Sequence, residues 1–226
     1  MTRVWQWTKR LVFGRGERPR TVWFGLARGC RFVINPDGKT QRIVGLDEAE
    51  IAGAFRRGVG RARTFIDVGA SDGYYSIIAR RLNPSLVAVA CEPQPDFRPR
   101  AWENYRLTFP GEEPRIEWVD KLIGGGPGQV SLDDLAADRP GPVFVKIDVD
   151  GGEIDVLRSG PRLLARADCS LLVEVHSRQL EEGCAELLRA AGYDCRVIPN
   201  AWWRRIVPEH RPVGWNRWLT ADRVSG

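Results

Sequence analysis

Acidic and small residues stand together directly after an apolar run in residues 65–76, which read FIDVGASDGYYS. A strand-like segment leads into Asp67, a turn of small residues follows, and a helix-like segment begins near Tyr74. Parallel sheets hold nucleotide-like ligands at turns of this kind, where a strand passes into a helix. The stretch therefore predicts a cofactor site at the mouth of a parallel sheet.

The glycine pattern argues against a dinucleotide. Dinucleotide folds use G-x-G-x-x-G, whose glycines admit the pyrophosphate and allow close packing of helix on strand. Here Ser71 replaces the second glycine and the bulky Tyr74 replaces the third. The pattern D-x-G-x-x-x-G leaves room for a smaller ligand near Gly69 and Gly73, and the Asp67 carboxylate suits positive charge, such as the ammonium and sulfonium of S-adenosylmethionine. A purely structural turn is the alternative.

Further acids follow later strand-like runs. Glu92 comes 25 residues after Asp67, at the tip of the second run, where a carboxylate binds ribose hydroxyls. In the fourth run, strand alternation places Lys146 and Asp148 on one side, with Asp148 at the carboxyl end where open α/β sheets bind ligands. Asp148 is predicted to act as a general base or substrate anchor. An ion pair with Lys146 is the alternative.

A histidine follows the fifth run. Glu174 and His176 alternate onto one face there, and histidine is the side chain best suited to take a proton near neutral pH. His176 is therefore a second candidate for proton removal. Asp148, Glu174 and His176 are also ligand types for a divalent cation. Ordinary hydrogen bonding is the favoured interpretation, and no metal is assigned.

Strand-like and helix-like runs alternate from residue 62 onward. Strands are predicted at 64–68, 86–91, 115–119, 143–149, 171–175, 194–198 and 216–220, and helices at 73–82, 96–107, 132–137, 153–164 and 179–191. The alternation predicts a parallel sheet with helices on both faces. The last two strands have no helix between them, so they are expected to pair antiparallel at the sheet edge.

The segment before residue 62 has a different pattern. Strand-like runs at 21–24 and 31–34, a turn signal at 35–38 and a further short run at 41–44 predict a β-hairpin. Residues 48–57 predict a helix with Asp47 as its N-cap. We expect residues 1–61 to form a basic N-terminal segment, hairpin and helix, and residues 62–226 to form the main domain, in one compact unit.

Composition narrows the classes of protein. The 226 residues are 43% hydrophobic and 28% charged, an ordinary globular balance, with a net charge of +5. No apolar run approaches the roughly 20 residues that span a bilayer, and the N-terminus does not read as a secretory signal. Five scattered cysteines without a CxxC pair predict a reduced, cytoplasmic chain without zinc. The sequence does not indicate an oligomeric state.

Two aromatic segments suggest contacts. Trp5 and Trp7 lie among basic residues in residues 1–20, which suits peripheral contact with a membrane or an acidic glycan, or a segment covering the domain. Trp202 and Trp203 lie in residues 200–215, where they suit either stacking on a sugar ring or covering the sheet edge.

These elements together resemble the FkbM family of S-adenosylmethionine-dependent methyltransferases. The matching segments are DVGASDGYYS at 67–76, Glu92-Pro93 with Asn104 in the next helix, SLDDL at 131–135, VKIDVDGGE at 145–153 and EVH at 174–176. Their order and spacing cover about residues 45–180. Ser71-Asp72 departs from the family's more usual Asn and second residue, and residues 150–153 read DGGE where EGAE is common.

The resemblance implies a class I methyltransferase fold, which is a Rossmann-like seven-stranded sheet, mostly parallel with an antiparallel last strand and flanked by helices. It also implies O-methylation of a hydroxyl on a sugar or natural-product acceptor. The expected cofactor-binding residues are Asp67, Gly69, Ala70, Ser71, Gly73, Tyr74, Glu92 and Asp120, with Asp120 expected at the adenine amino group. Asp148 and His176 are expected to align the hydroxyl or remove its proton.

Two other functions stay open. One is a non-catalytic interaction protein on a methyltransferase scaffold, since fold does not fix function. The other is a nucleic-acid methyltransferase, suggested by the sequence pI of 9.2. Asp148 stands where such enzymes carry an Asn-Pro-Pro-Tyr-type motif, so we expect a small-molecule or glycan acceptor and no nucleic acid.

Overall fold

The computed structural model of the protein describes residues 12–201 and 215–224. The contacts predicted for Trp5, Trp7, Trp202 and Trp203 fall outside these ranges. None of the helices within the ranges has the length and apolar character needed to cross a bilayer.

The N-terminal part folds as a short hairpin followed by helices. Strand β1 (Arg18–Thr21) pairs antiparallel with β2 (Arg31–Ile34). Helix α1 spans Pro36–Val44, a 3₁₀ turn spans Ala49–Ile51, and helix α2 spans Ala52–Arg61. The predicted β-hairpin is confirmed, although its first strand covers Arg18–Thr21 and not residues 21–24.

The strand predicted at residues 41–44 is wrong, because these residues end helix α1. Asn35 precedes the helix in an extended conformation, and its side chain accepts a hydrogen bond from the backbone two residues on. Pro36 occupies the first turn, where its missing N–H has no consequence. The Asn-Pro pair therefore starts a helix where the pattern predicted a turn.

The prediction that Asp47 caps the next helix is also wrong. Glu48 takes the N-cap position of the 3₁₀ turn, without a side-chain capping bond. The Asp47 carboxylate instead accepts a hydrogen bond from Arg42 Nε at 2.9 Å. Asp47 therefore joins its loop to α1.

In the described ranges, seven further strands form one sheet. They are β3 (Thr64–Val68), β4 (Val87–Cys91), β5 (Ile116–Val119), β6 (Val143–Ile147), β7 (Cys169–Val175), β8 (Tyr193–Ile198) and β9 (Arg217–Arg223). Their order is β5-β4-β3-β6-β7-β9-β8, and β9 runs antiparallel to both neighbours while the other pairs are parallel. The predicted seven-stranded class I arrangement is confirmed.

Helices cover both faces of this sheet. They are α3 (Tyr74–Leu82), α4 (Phe97–Thr108), α5 (Leu132–Ala136), α6 (Glu153–Arg158), α7 (Pro161–Ala165) and α8 (Arg178–Ala190). The single helix predicted at 153–164 divides into α6 and α7. It divides at Ser159, whose hydroxyl donates to Val156 O and accepts from Leu132 N–H, and Pro161 then starts a new helix.

Strand alternation sends side chains into two separate cores. On one face, Phe65 and Phe144 pack with Phe32 of β2 and Phe55 of α2. On the other face, residues such as Val145 pack against α5 to α8. Apolar packing is continuous across residue 61, and the domain boundary predicted there stays a prediction. Because the central strands are parallel, their carboxyl ends meet at one edge of the sheet.

Two glycines of α2 offer a test of this packing. A Cβ at Gly58 would lie 2.6 Å from a ring carbon of Phe144, whereas a Cβ at Gly60 would meet nothing within 4 Å. Gly60→Ala should raise the free energy of unfolding by about 0.5–1 kcal/mol, because alanine restricts the unfolded chain. Gly58→Ala should lower it by about 1–3 kcal/mol through overpacking. Urea denaturation measures both, and equal effects would contradict the contact between α2 and β6.

Candidate functional site

A buried lysine joins the ends of β3 and β6. The Lys146 side chain is 1% exposed, and its ammonium lies 3.1 Å from Asp67 Oδ1 and 3.2 Å from Asp148 Oδ2. The same ammonium donates to Gly69 O at 3.1 Å. A charge removed from water needs such partners, since an unpaired buried charge is strongly destabilising. The ion pair that sequence alone left open between Lys146 and Asp148 is present.

Asp67 lies beneath the turn that follows β3. Its side chain is fully buried, and Oδ2 accepts a hydrogen bond from the Ser76 hydroxyl at 2.8 Å. Burial raises the pKa of the Asp67 carboxyl, while Lys146 and Ser76 oppose that rise. Asp67 therefore connects the strand end to helix α3 and to Lys146.

The turn itself depends on close backbone approach. Gly69 has a φ of +79°, and a Cβ there would lie 1.8 Å from Asp148 O, so only glycine fits. The next residues direct backbone N–H groups toward β4, and Ser71 N–H donates to Glu92 Oε2 at 3.0 Å. Glu92 Oε1 accepts from Gln94 N–H, also at 3.0 Å. Both oxygens of Glu92 are thus held by backbone donors at the tip of β4.

The acids at the ends of β6 and β7 have opposite pKa shifts. Burial favours the neutral form of Asp148, but the ammonium of Lys146 and a hydrogen bond from Glu174 outweigh it and lower its pKa. Burial and the neighbouring Asp148 raise the pKa of Glu174 to about 11. At neutral pH, Asp148 is ionised and Glu174 holds a proton, because burial and repulsion from the adjacent Asp148 carboxylate disfavour a charge on Glu174.

His176 lies among acids after β7. Its Nδ1 is 2.6 Å from Glu153 Oε1, and its Nε2 is 3.4 Å from Asp150 Oδ1 and 3.9 Å from Glu174 Oε2. The hydrogen bond with Glu153 raises the pKa of His176, and burial only partly offsets this. The Glu153 carboxylate therefore favours the protonated form of the imidazole.

Two adjoining cavities open at this edge of the sheet. The larger, about 580 Å³, is lined by residues from the β3 turn, from the ends of β6 and β7, and from α1 and its following loop. The smaller, about 340 Å³, contains apolar side chains that include Leu122, Ile123, Val149 and Val156. Five residues line both: Gly69, Glu92, Gln94, Asp148 and Asp150. Glu92 and Asp148 thus stand at the junction.

Most of the predicted site residues meet at these cavities. Those that line one or both are Gly69, Ala70, Ser71, Tyr74, Glu92 and Asp148. Asp67, Gly73, Asp120 and His176 are not among the lining residues of either cavity in the described part of the chain. The functional roles assigned to all ten residues stay predictions.

Two of the residues outside the lining have other contacts. Gly73 is the N-cap of α3 with a φ of +77°, and a Cβ there would lie 3.0 Å from the Cβ of Ala101 in α4. Asp120 Oδ2 lies 2.8 Å from Arg98 Nη1, and both side chains are 47% exposed. Lys121, next in the chain, lines the smaller cavity.

The N-terminal segment supplies a wall of the larger cavity, and two of its acids were not among the predicted site residues. Asp47 and Glu48 line it together with Arg42 of α1. Arg42 Nη1 lies 2.6 Å from Asp72 Oδ2, which joins α1 to the turn after β3. The adjacent acids Asp47 and Glu48 could have indicated a site, but the helical spacing after them favoured a capping role for Asp47.

Asp148, Glu174 and His176 each offer a ligand atom, and these atoms lie within 4.8 Å of one another. Such clustering is compatible with a divalent cation. The contacts already described, with the Lys146 ammonium on Asp148 and Glu153 on His176, agree with the hydrogen-bonded interpretation. The absence of a metal stays a prediction.

Comparison with known proteins finds a match between part of this chain and one family model. Residues 127–198 match the model of the methyltransferase FkbM domain. The predicted FkbM resemblance is confirmed. That match contains Asp148, Glu174 and His176, whereas the turn after β3 and Glu92 lie before it. No match was found among the curated proteins.

Solved structures with the same fold are methyltransferases. Methyltransferase FkbM from Methylobacillus flagellatus KT has 18% identity and a TM-score of 0.55, over 71% of this chain and 43% of that chain. Precorrin-6y C5,15-methyltransferase from Geobacter metallireducens GS-15 has 16% identity and a TM-score of 0.53, over 77% and 89%. The METTL16 MTase domain has 16% identity and a TM-score of 0.54, over 80% and 69%. These similarities establish the fold.

Because folding raises the pKa of Glu174, we expect the free energy of unfolding to depend on pH. Its pKa rises from 4.5 to about 11 on folding, so between these values the folded protein holds a proton that the unfolded chain loses. Stability from this group should therefore fall as pH rises, by up to about 1.4 kcal/mol per pH unit. Glu174→Gln should flatten that fall when urea unfolding is measured from about pH 5 to about pH 9.

Asp155→Asn is a suitable control, because the Asp155 side chain is 79% exposed. Its pH dependence should match that of the unmodified protein. The same slope in Glu174→Gln would contradict a protonated Glu174 in the folded state.

Proposed function

We propose that the protein is an S-adenosylmethionine-dependent methyltransferase that methylates a hydroxyl of a sugar or natural-product acceptor. The observation that carries the proposal is the position of Glu92. Its carboxylate is fixed by the Ser71 and Gln94 N–H groups at the junction of the two cavities. An acid at the tip of the second parallel strand suits ribose hydroxyls.

The residues around Glu92 fit the cofactor. The apolar side chains of the smaller cavity, such as Leu122 and Val149, suit a purine ring. The turn lines the larger cavity with Gly69 and Ser71 and the smaller one with Gly69, and it suits the amino-acid portion. Acids of the larger cavity suit its ammonium and sulfonium charges. When bound, the cofactor supplies an electrophilic methyl carbon.

Asp148 suits alignment of the acceptor. Lys146 keeps the Asp148 carboxylate ionised, and 29% of the Asp148 side chain is exposed. An ionised carboxylate accepts a hydrogen bond from a hydroxyl and orients it. The lowered pKa of Asp148 makes it a weak base, so alignment is the better of its two predicted roles. His176 stays a candidate for proton removal.

The charges of the larger cavity suit a neutral acceptor. Its described lining includes seven acids against three bases, Lys39, Arg42 and Lys146. Each of these bases lies within 4.0 Å of a carboxylate oxygen, so none offers an uncompensated charge. This lining disfavours a phosphate-rich acceptor such as a nucleic acid. It favours hydroxyl groups, for which carboxylates are good hydrogen-bond acceptors.

The cytoplasmic location stays a prediction.

Glu92 provides the test of cofactor binding. Calorimetry with S-adenosylhomocysteine should detect binding, and Glu92→Gln should weaken it by about tenfold or more, equal to about 1.4 kcal/mol. The amide offers one acceptor oxygen where the carboxylate has two, and its NH₂ faces a backbone donor. Glu103→Gln, at an exposed position on α4, should bind as the unmodified protein does.

Transfer of a tritiated methyl group from S-adenosylmethionine to a panel of methyl hexosides then tests the acceptor class. Absence of any heat of binding would overturn the cofactor assignment and favour a non-catalytic protein on this scaffold. Binding with transfer to RNA but to none of the hexosides would overturn the acceptor assignment.

A further inference from the structure

Glu48 reaches the larger cavity from the N-terminal segment, whereas Asp148 and Glu174 reach it from strand ends. Glu48 is not among the residues that hold the cofactor or align the acceptor in the proposed function. It lies outside the segment that matches the FkbM domain model, residues 127–198. It is nevertheless one of the acids grouped around the Lys146 ammonium.

The protein holds the Glu48 carboxylate in a fixed position. The Tyr75 hydroxyl donates a hydrogen bond to Glu48 Oε2. Tyr75 is itself 6% exposed and packs on Phe55 at 4.9 Å between ring centroids. Glu48 has a φ of +47°, a left-handed conformation that is uncommon for a residue with a side chain. Strain of this kind persists where surrounding contacts impose it, and it is frequent at functional sites.

The charged and titratable groups that face Glu48 come from four elements. They are Asp47 from its own loop, Tyr74 and Tyr75 from α3, Lys146 and Asp148 from β6 and its end, and Glu174 from β7. Burial raises the pKa of Glu48 to about 8, helped by Asp47 and Asp148 and opposed by Tyr75 and Lys146. A general base is most effective when its pKa lies near the working pH.

We propose that Glu48 takes the proton from the acceptor hydroxyl, with the Tyr75 hydroxyl holding the carboxylate in place. This inference rests on the proposed function. The acceptor oxygen bonds to the methyl carbon, and the carbon–sulfur bond breaks with its electron pair left on sulfur. The O–H bond also breaks, its electron pair stays on the acceptor oxygen, and the proton passes to a Glu48 carboxylate oxygen.

The other groups of the site suit this step less well. Asp148 is ionised but strongly stabilised in that form by Lys146. Glu174 already holds a proton, and His176 is held by Glu153 outside the cavity lining. Glu48 combines access to the cavity with a carboxyl that can change protonation near neutral pH.

Proton release on ligand binding tests the assignment without an acceptor. A sulfonium near Glu48 favours the carboxylate, so at about pH 8 binding of S-adenosylmethionine should release roughly half a proton more than binding of S-adenosylhomocysteine. Calorimetry in buffers of different ionisation heat measures this difference. The Glu48→Gln variant should lose the difference and still bind S-adenosylhomocysteine. The Glu186→Gln variant, changed at an exposed position on α8, should keep it.

Tyr75→Phe gives a second signature. It removes a hydrogen bond that lowers the pKa of Glu48, so the proton-release profile and the rising limb of the rate–pH profile should both move to higher pH. In tritium transfer to the methyl hexosides, Glu48→Gln should slow methylation by roughly 10²–10⁴-fold.

The outcomes separate the two proposals. No binding of either ligand by the unmodified protein would overturn the proposed function. Normal binding in which Glu48→Gln keeps the full proton release, or keeps the rate and its pH profile, would overturn the Glu48 assignment alone. Loss of the proton release together with intact S-adenosylhomocysteine binding would support it.

Discussion

The buried ammonium of Lys146 is the interaction on which the site depends. It contacts the carboxylates of Asp67 and Asp148 and the carbonyl of Gly69, so one charge joins the end of β3, its turn and the end of β6. Removing these charges from water is unfavourable, and only their mutual contacts offset that cost. The turn after β3 therefore lies against β6 at the point where Asp67, Asp148 and the Gly69 carbonyl all contact the ammonium. The missing side chain at Gly69 makes that approach sterically feasible.

Burial acts together with this ammonium on the acids around it. The ammonium holds Asp148 ionised, while burial and the ionised Asp148 keep Glu174 protonated. Glu48 lies farther along the cavity wall, where burial and neighbouring acids raise its pKa to about 8. Burial, the Lys146 ammonium and mutual repulsion thus give three carboxyl groups in one cavity three different proton affinities. Separation of this kind lets one carboxyl orient a hydroxyl while another takes its proton.

The sequence was sufficient for the sheet because its signals are local and repeated. Apolar runs separated by helix-like runs predicted where the strands lie. The acids that follow these runs predicted that the site lies at the carboxyl-end edge of the sheet. Local signals failed where the same residues can begin either of two local structures. Asn35-Pro36 fits a turn and a helix N-terminus equally, and only burial of Ile43 on the sheet face decides for the helix. Glu48 was missed because its environment comes from Tyr75, Lys146 and Asp148, which are distant in sequence.

The two parts of the chain that line the larger cavity are constrained differently. Asp148 and Glu174 stand at the ends of strands whose inward side chains fill both cores, so their positions follow from packing of the sheet. Asp47 and Glu48 stand on a loop joined to the turn after β3 through the Arg42–Asp72 ion pair. Loop residues can change without disturbing a core. The wall of the larger cavity can therefore vary at exposed residues of this segment such as Gly38 and Lys39, while the strand ends stay fixed by the cores.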